Sequence, residues 1–160
     1  MNIRQAQKDD WPQVWNVLRE AFHSEETYVY FANISEEDAY DIWIKKSLHV
    51  YVVEQDQVIL GTYYIKPNQQ GLGSHICNCG YISASQARGK GVGSLMCKHS
   101  LEEAKKIGFL AMQYNLVVST NEGAIRLWKK FGFEIVGTIP QAFYFRKEKY
   151  VDAHIMYKKL

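Results

Sequence analysis

The sequence predicts an α/β fold, a mixed, largely antiparallel sheet flanked by helices. Three observations carry that reading. Apolar runs of strand length recur along the chain, and two of them, residues 48–54 and 58–66, are separated by only three residues, as in an antiparallel hairpin. Between the strand runs stand stretches whose apolar residues recur at helical spacing. Strands and helices do not alternate strictly, which argues against an all-parallel βαβ sheet.

Taken in order, residues 2–6 are a short strand. Asp9 and Asp10 precede Trp11 and Pro12, and acidic capping followed by proline in the first turn is a helix start. Trp11, Val14, Trp15, Leu18 and Phe22 then form one apolar stripe, expected in the core. Residues 23–33 have no period. Ser35-Glu36-Glu37-Asp38 resembles a capping box and opens a second helix with Ala39, Ile42 and Trp43 on one face. The hairpin follows, its strands joined by Gln55-Asp56-Gln57, and residues 67–74 are a turn rich in Gly, Asn and Gln. A strand over 75–83 leads through a glycine-rich loop into a helix that runs to about Ile107, with Gly108 as its C′ residue. Residues 109–118 are the next strand. Ser119, Thr120 and Asn121 offer caps for a helix over 122–131 that Gly132 ends. A strand over 133–139, a loop or strand extension over 140–148 and a last strand over 150–158 complete the chain.

A chain of 160 residues fits one domain and can bury a sizeable core. Its net charge of +2 does not argue for a nucleic-acid or membrane partner. Aromatic residues make up 14% of the chain, with eleven tyrosines, which suits a tyrosine-rich core or an aromatic-lined cleft. The three cysteines, an odd count, suit a reducing compartment, and with no leader-like N-terminus and no apolar run of roughly 18 residues the expectation is a cytoplasmic protein. Cys77 and Cys79 face the same way along one strand, too far apart for an easy disulfide, and only His75 stands near them, so no metal site is expected.

The chemistry concentrates in Gln86-Ala87-Arg88-Gly89-Lys90-Gly91-Val92-Gly93-Ser94. A strand, three glycines at alternate positions and a helix start make an anion cradle. Glycine lets the backbone approach closely, and the helix N-terminus supplies free N–H groups and partial positive charge. Arg88 and Lys90 add formal charge. A nucleotide P-loop needs Ser or Thr after its lysine, but Gly91 follows Lys90. A dinucleotide fingerprint needs its third glycine one position later than Gly93 and a carboxylate at the end of the next strand, where Ser119 and Thr120 stand.

Gln86, Gly89 and Gly91 match the Q/R-x-x-G-x-G/A signature of the GNAT superfamily of acyl-CoA-dependent N-acetyltransferases. Residues 121–133, from Asn121 through Ala124, Leu127, Trp128 and Lys130 to Gly132 and Phe133, resemble the family's N-x-x-A-x-x-L-Y-x-K-x-G-F segment, with Trp128 where tyrosine is usual. The resemblance covers essentially the whole chain, and it implies a single acetyltransferase domain over 1–160 with a twisted sheet whose central strand pair, 75–83 and 109–118, splays apart.

What the resemblance implies for the site follows from that gap. Backbone groups in it hydrogen-bond the pantetheine arm of acetyl-CoA, which places Ile82 and Ser83 on pantetheine. The backbone of Arg88, Gly89, Lys90, Gly91, Val92, Gly93 and Ser94 holds the pyrophosphate. Asn121 and Ala124 lie near the sulfur, and Trp128 is either a wall for the arm or a replacement for the usual acid. The reaction implied is direct transfer of an acetyl group to a primary amine of a small molecule, peptide or protein. It needs a base, an oxyanion donor near Tyr81 or Ile82, and a proton for the thiolate. Indole is no acid at neutral pH, so Tyr144, Tyr81 and Tyr114 are candidate acids. His75, Asn78, Tyr81, Glu25 and Glu26 are candidate base or acceptor-site residues, with Tyr28 beside them. A solvated acidic loop remains an alternative for Glu25 and Glu26. A non-catalytic acyl-CoA-binding sensor is the rival function, kept open by Trp128, and a homodimer is compatible with the chain.

Overall fold

The structure is a computed structural model that describes residues 1–160. Its elements follow the predicted order: β1 (Asn2–Gln5), α1 (Trp11–His23), α2 (Glu36–Tyr40), β2 (His49–Gln55), β3 (Val58–Pro67), β4 (Ile76–Ser83), α3 (Val92–Ile107), β5 (Ala111–Val118), α4 (Glu122–Lys130), β6 (Glu134–Phe145) and β7 (Lys149–Lys159). The seven strands form one sheet in the order β1-β2-β3-β4-β5-β7-β6. Every neighbouring pair is antiparallel except β4 and β5.

Strand alternation assigns the two faces. Odd-numbered residues of β3 and β4 lie under α3: Tyr63 stacks on Tyr81 at 5.5 Å, and the Tyr81 hydroxyl is 2.7 Å from Ser100 Oγ. Even-numbered residues face α1 and α2, where Trp43 meets the Tyr64 ring edge-on at 4.9 Å and donates its indole N–H to Thr62 Oγ1. Trp43 reaches this position from a π-helical turn, Asp41–Lys45, that continues α2. Much of the tyrosine content is therefore core.

The helix starts show one difference from expectation. Ser35 caps α2 as its sequence suggests, accepting from the Asp38 N–H. Asp10, however, makes no cap bond to α1. Its carboxylate accepts from the Gln7 N–H and pairs with Arg4, which also reaches Glu54 on β2. A guanidinium fork outcompetes a neutral amide for a carboxylate, so the acid staples β1 to the helix entry instead. On α1 the buried stripe is Val14, Val17, Leu18 and Phe22, while Trp11 and Trp15 are only partly covered.

The hairpin between β2 and β3 turns in two residues, Asp56 and Gln57, both left-handed at φ 53° and 63°. That geometry matches the strand twist. The stretch over 140–145 extends β6, its ladder with β7 interrupted between Ile139 and Phe143. Cys77, Cys79 and Cys97 are free thiols, all buried.

Candidate functional site

The parallel ladder between β4 and β5 holds two residue pairs, Ile76 with Ala111 and Cys77 with Met112, and then ends. Asn78 marks the fork. Its Nδ2 donates to the Gln113 carbonyl at 2.9 Å, and its Oδ1 accepts from the Tyr64 hydroxyl at 3.1 Å. A side chain thus takes the place of a ladder bond, and beyond it the two strands diverge.

The backbone on the open side can be assigned by alternation. In an antiparallel pair, one residue's N–H and C=O point to the same side, and successive residues alternate. Ala84 donates its N–H to Leu60 on β3, so residues 80, 82 and 84 pair with β3. Cys79, Tyr81 and Ser83 therefore direct their backbone groups into the gap. The backbone of Ile82 is thus committed to β3, whereas that of Ser83 faces the gap; both residues line the cavity that continues from it. The alternation also favours Tyr81 over Ile82 as the source of an oxyanion N–H.

The gap widens into a cleft of about 420 Å³, lined by residues 27–30, Tyr64, Lys66 and Asn68, residues 78–81 and 114–118, and Asn121, Ala124 and Trp128. It lies within the size range of small-molecule sites. Tyr28 enters from the loop after α1, and its hydroxyl donates to the Tyr81 carbonyl at 3.0 Å. Burial raises the Tyr28 phenol above the ordinary tyrosine range. A smaller cavity of about 240 Å³ shares Thr27, Tyr28 and Tyr81 with the cleft and continues along Ile82, Ser83 and Ser85 to Arg88. The two cavities together connect the fork with the glycine loop.

At that loop Gly89 and Gly91 have φ of 75° and 80°, and a Cβ at either would meet nothing within 4 Å. The left-handed backbone, not crowding, explains why these positions favour glycine. The Arg88 and Lys90 amides close tight turns onto Ser85 and Ala87. The first bond of α3 runs from the Leu95 N–H to the Gly91 carbonyl, which leaves the amides of Gly91, Val92, Gly93 and Ser94 as the unsatisfied donors of a helix start. The Arg88 and Lys90 N–H groups are spent in these turns, so of these two residues only the side-chain charge is free to meet an anion at the helix start. Val92 is buried under the loop. Gly93 has a second task, since a Cβ there would stand 3.1 Å from Leu127 of α4.

Asn121 and Ala124 both line the cleft, and the Asn121 Oδ1 accepts from the Ala124 N–H, which caps α4 and leaves the Asn121 amide nitrogen available. Trp128 is buried against Tyr81 at 4.9 Å and Tyr114 at 5.0 Å. The Tyr81 hydroxyl lies 3.0 Å from that of Tyr114, and burial raises both phenols. The two phenols are held to each other, and that of Tyr81 to Ser100, rather than left free in the cleft.

Several predicted residues are not brought to the cleft. His75 is exposed at the paired end of β4, away from the fork. Tyr144 does not line the cleft itself: it stacks on Tyr150 at 4.6 Å and lines an adjoining groove that meets the cleft at Tyr28, Val29 and Tyr30. Glu25 and Glu26 are held by the β6–β7 turn: Lys147 sits 2.6 Å from Glu25, and Arg146 pairs with Glu26. These ion pairs answer the two charges and fasten the Tyr28 loop to the hairpin. Lys66 was not singled out from sequence, since it lies at the end of a strand with no motif around it. Hairpin register was the only available signal, pairing it with Asn78.

A profile of the acetyltransferase (GNAT) family matches residues 3–133. The fold is similar to that of a GCN5-related N-acetyltransferase from Kribbella flavida, with a TM-score of 0.94, 36% identity, and coverage of 99% of this chain and 97% of that one. It is also similar to yncA of Salmonella typhimurium, a putative acetyltransferase solved with its cofactor acetyl-CoA, with a TM-score of 0.88 over 100% of this chain and 94% of that one; at 21% identity this likeness concerns the fold. Among curated proteins, N-acetyltransferase aca1 of Schizosaccharomyces pombe is 43% identical over 98 residues, 61% of this chain. The matched stretch spans about half, 47%, of that relative's length.

Proposed function

The chain belongs to the acetyltransferase (GNAT) family, and on that premise we propose that it is an acetyl-CoA-dependent N-acetyltransferase acting on a primary amine of a small molecule or peptide. The observation that carries the proposal is the β4–β5 fork, which aims the backbone of Cys79, Tyr81 and Ser83 into a cleft continuous with the donors at the start of α3. An amide-rich arm can complete such a broken ladder, and a pyrophosphate suits the free N–H groups of Gly91, Val92, Gly93 and Ser94. The residues present fit the cofactor at both places. When bound, acetyl-CoA supplies the thioester carbonyl that an unprotonated amine attacks, giving the N-acetyl product and the free CoA thiol.

The protein's tasks are to orient and to stabilise. The Tyr81 N–H is the oxyanion donor, since it points into the cleft beside the carbonyl that Tyr28 already satisfies. Trp128 packs the wall on which the reacting groups rest. The fork part of the cleft has no carboxylate or imidazole in its lining, and Glu20 and Glu26 lie instead in the cavity that continues toward Arg88; at the fork an amine gives up its proton to water. The thiolate likewise recovers a proton from water, a modest demand for a thiol whose pKa is about 8.5 by analogy with cysteine.

The seven strands of one sheet support reading 1–160 as one acetyltransferase domain. The free thiols support a cytoplasmic setting. No helix is long and apolar enough to cross a membrane.

Calorimetric titration with acetyl-CoA, followed by thiol-release assays over an amine panel, tests the proposal. Binding with turnover of an amine is the expected result. Absence of binding would overturn the cofactor site, and binding without turnover of any amine would replace the enzyme with an acyl-CoA sensor.

A further inference from the structure

Lys66 is the one charged residue lining the cleft. It stands on β3 opposite Asn78, on the face where the fork opens. Its ammonium lies 4.8 Å above the Tyr64 ring. That ring is itself fixed, because it lies over Gly80, where a Cβ would come within 2.5 Å of Tyr64, and because its hydroxyl donates to Asn78. The lysine is thus held beside the fork by a built support, not left to roam over the surface.

Yet Lys66 has no carboxylate partner, whereas seven other cation–acid contacts pair off elsewhere in the protein. The neighbouring charge that bears on it is another cation, Lys46, and this adds to half-burial in pushing its pKa down. A half-buried ammonium without a counter-charge costs stability, which an uncharged residue would avoid. Its polar neighbours in the cleft are neutral amides, Asn68, Asn78 and Asn115, and these are bonded to one another or to backbone: Asn115 donates to Asn68 and Asn78 to Gln113. An anion carried by a ligand would supply the counter-charge that the protein does not.

We propose that Lys66 is a specificity-determining residue, and that the acceptor amine carries a carboxylate which Lys66 binds. This rests on the acetyl-transfer reading above and names the substrate class within it: amino-acid-like amines, as opposed to polyamines or neutral amines. A polyamine would need free acidic residues along its path; the fork cavity has none, and the acids of the adjoining cavities are engaged, Glu25 by Lys147, Glu26 by Arg146 and Glu20 by the Ser85 N–H. The carboxylate on Lys66 would leave the amine free to turn toward the fork, so one charge contact sets the orientation of the nucleophile.

The test uses CoA joined through an S-acetyl bridge to the nitrogen of glycine or β-alanine, beside the matching conjugates of their primary amides. Affinities are measured by calorimetry on the intact protein and on Lys66→Met and Lys66→Arg. Because a charge-assisted contact in a partly dry site is worth about a factor of ten or more, at least one carboxylate conjugate should bind about tenfold tighter than its amide. That ratio should fall to near one in Lys66→Met and largely return in Lys66→Arg, with acetyl-CoA affinity unchanged in both. A ratio near one in the unaltered protein, or a ratio that Lys66→Met leaves intact, overturns the inference while the cofactor site stands. Failure of acetyl-CoA and every conjugate to bind overturns the acetyl-transfer reading, and the inference falls with it.

Discussion

The hydroxyl of Tyr28 donates to the main-chain carbonyl of Tyr81 across 3.0 Å, so a side chain from the loop after α1 completes a strand that has lost its neighbour. The same loop is tied to the β6–β7 turn through Glu25 with Lys147 and Glu26 with Arg146. The cleft wall is thereby joined both to the central strand β4 and to the hairpin at the β6 edge of the sheet. In Tyr28→Phe the carbonyl loses its partner, and an unsatisfied buried acceptor costs about 1–3 kcal/mol. Thermal unfolding should show a melting temperature lower by roughly 2–4 °C for each kcal/mol. An unchanged melting temperature would mean that water replaces the hydroxyl at no cost.

Gly91 tests the anion cradle. Its φ of 80° makes any side chain somewhat strained, but a Cβ there meets nothing within 4 Å. Gly91→Ala should therefore retain most acetyl-CoA affinity, while Gly91→Glu should abolish measurable binding by placing a carboxylate at the helix start. Equal affinities for the two variants in a calorimetric titration would remove the pyrophosphate from this loop.

Trp128 separates a packing wall from a chemical role. Trp128→Phe should keep kcat within a few-fold, because the aromatic contact with Tyr81 and Tyr114 persists in part. Trp128→Ala should lower stability by about 3–5 kcal/mol through the cavity it leaves. A loss of turnover in Trp128→Phe of a hundredfold or more, with folding and cofactor affinity intact, would show that the indole does more than pack.

The pH profile should report the acceptor rather than the protein. With no carboxylate or imidazole lining the fork, kcat/KM should rise about tenfold per pH unit until the amine's own pKa is reached. His99, whose pKa burial lowers, pairs with Tyr63 under α3, outside the cleft. A plateau beginning near pH 6.5, the ordinary range of histidine, and independent of the amine used would reveal a protein base.

Stability at low pH should depend on Arg4. Its hydrogen bond to Asp10 holds that carboxyl below the usual range. A carboxyl with a depressed folded pKa stabilises the fold above its unfolded pKa of about 3.9, and this contribution is lost as pH falls through the lower folded value. Arg4→Met should therefore destabilise the protein at neutral pH and narrow the gap to the parent below about pH 4, as read by denaturant unfolding at several pH values.

Local chemistry made much of this protein legible before any coordinates. The α/β class, the order of elements, the cap at Ser35, the left-handed Gly91 before α3 and the Asn121 cap all follow from short-range rules, because each depends on a few neighbouring residues and the backbone between them. The glycine loop and the segment around Trp128 carried the family resemblance for the same reason. The parallel pairing of β4 with β5, by contrast, appears only in the structure, where a strand, a helix and a strand in succession supply the crossover it needs.

Tertiary structure alone decided which of the candidates meet. Glu25 and Glu26 were unassigned charges until β6 and β7 brought Lys147 and Arg146 to them, more than a hundred residues away in sequence. His75 immediately precedes the strand that carries Tyr81, but the fork opens only beyond Cys77, so His75 is at the wrong end. Tyr144 belongs to a long hairpin that places it in the groove next to the cleft, beyond Tyr28 and Tyr30. Ile82 differs from Ser83 by one step of alternation, which turns its backbone toward β3. Lys66 gained meaning only when pairing with Asn78 placed it in the cleft without an acid beside it. Sequence determines what each residue can do over a few bonds; register, strand divergence and long-range charge pairing determine which of those abilities face the same space.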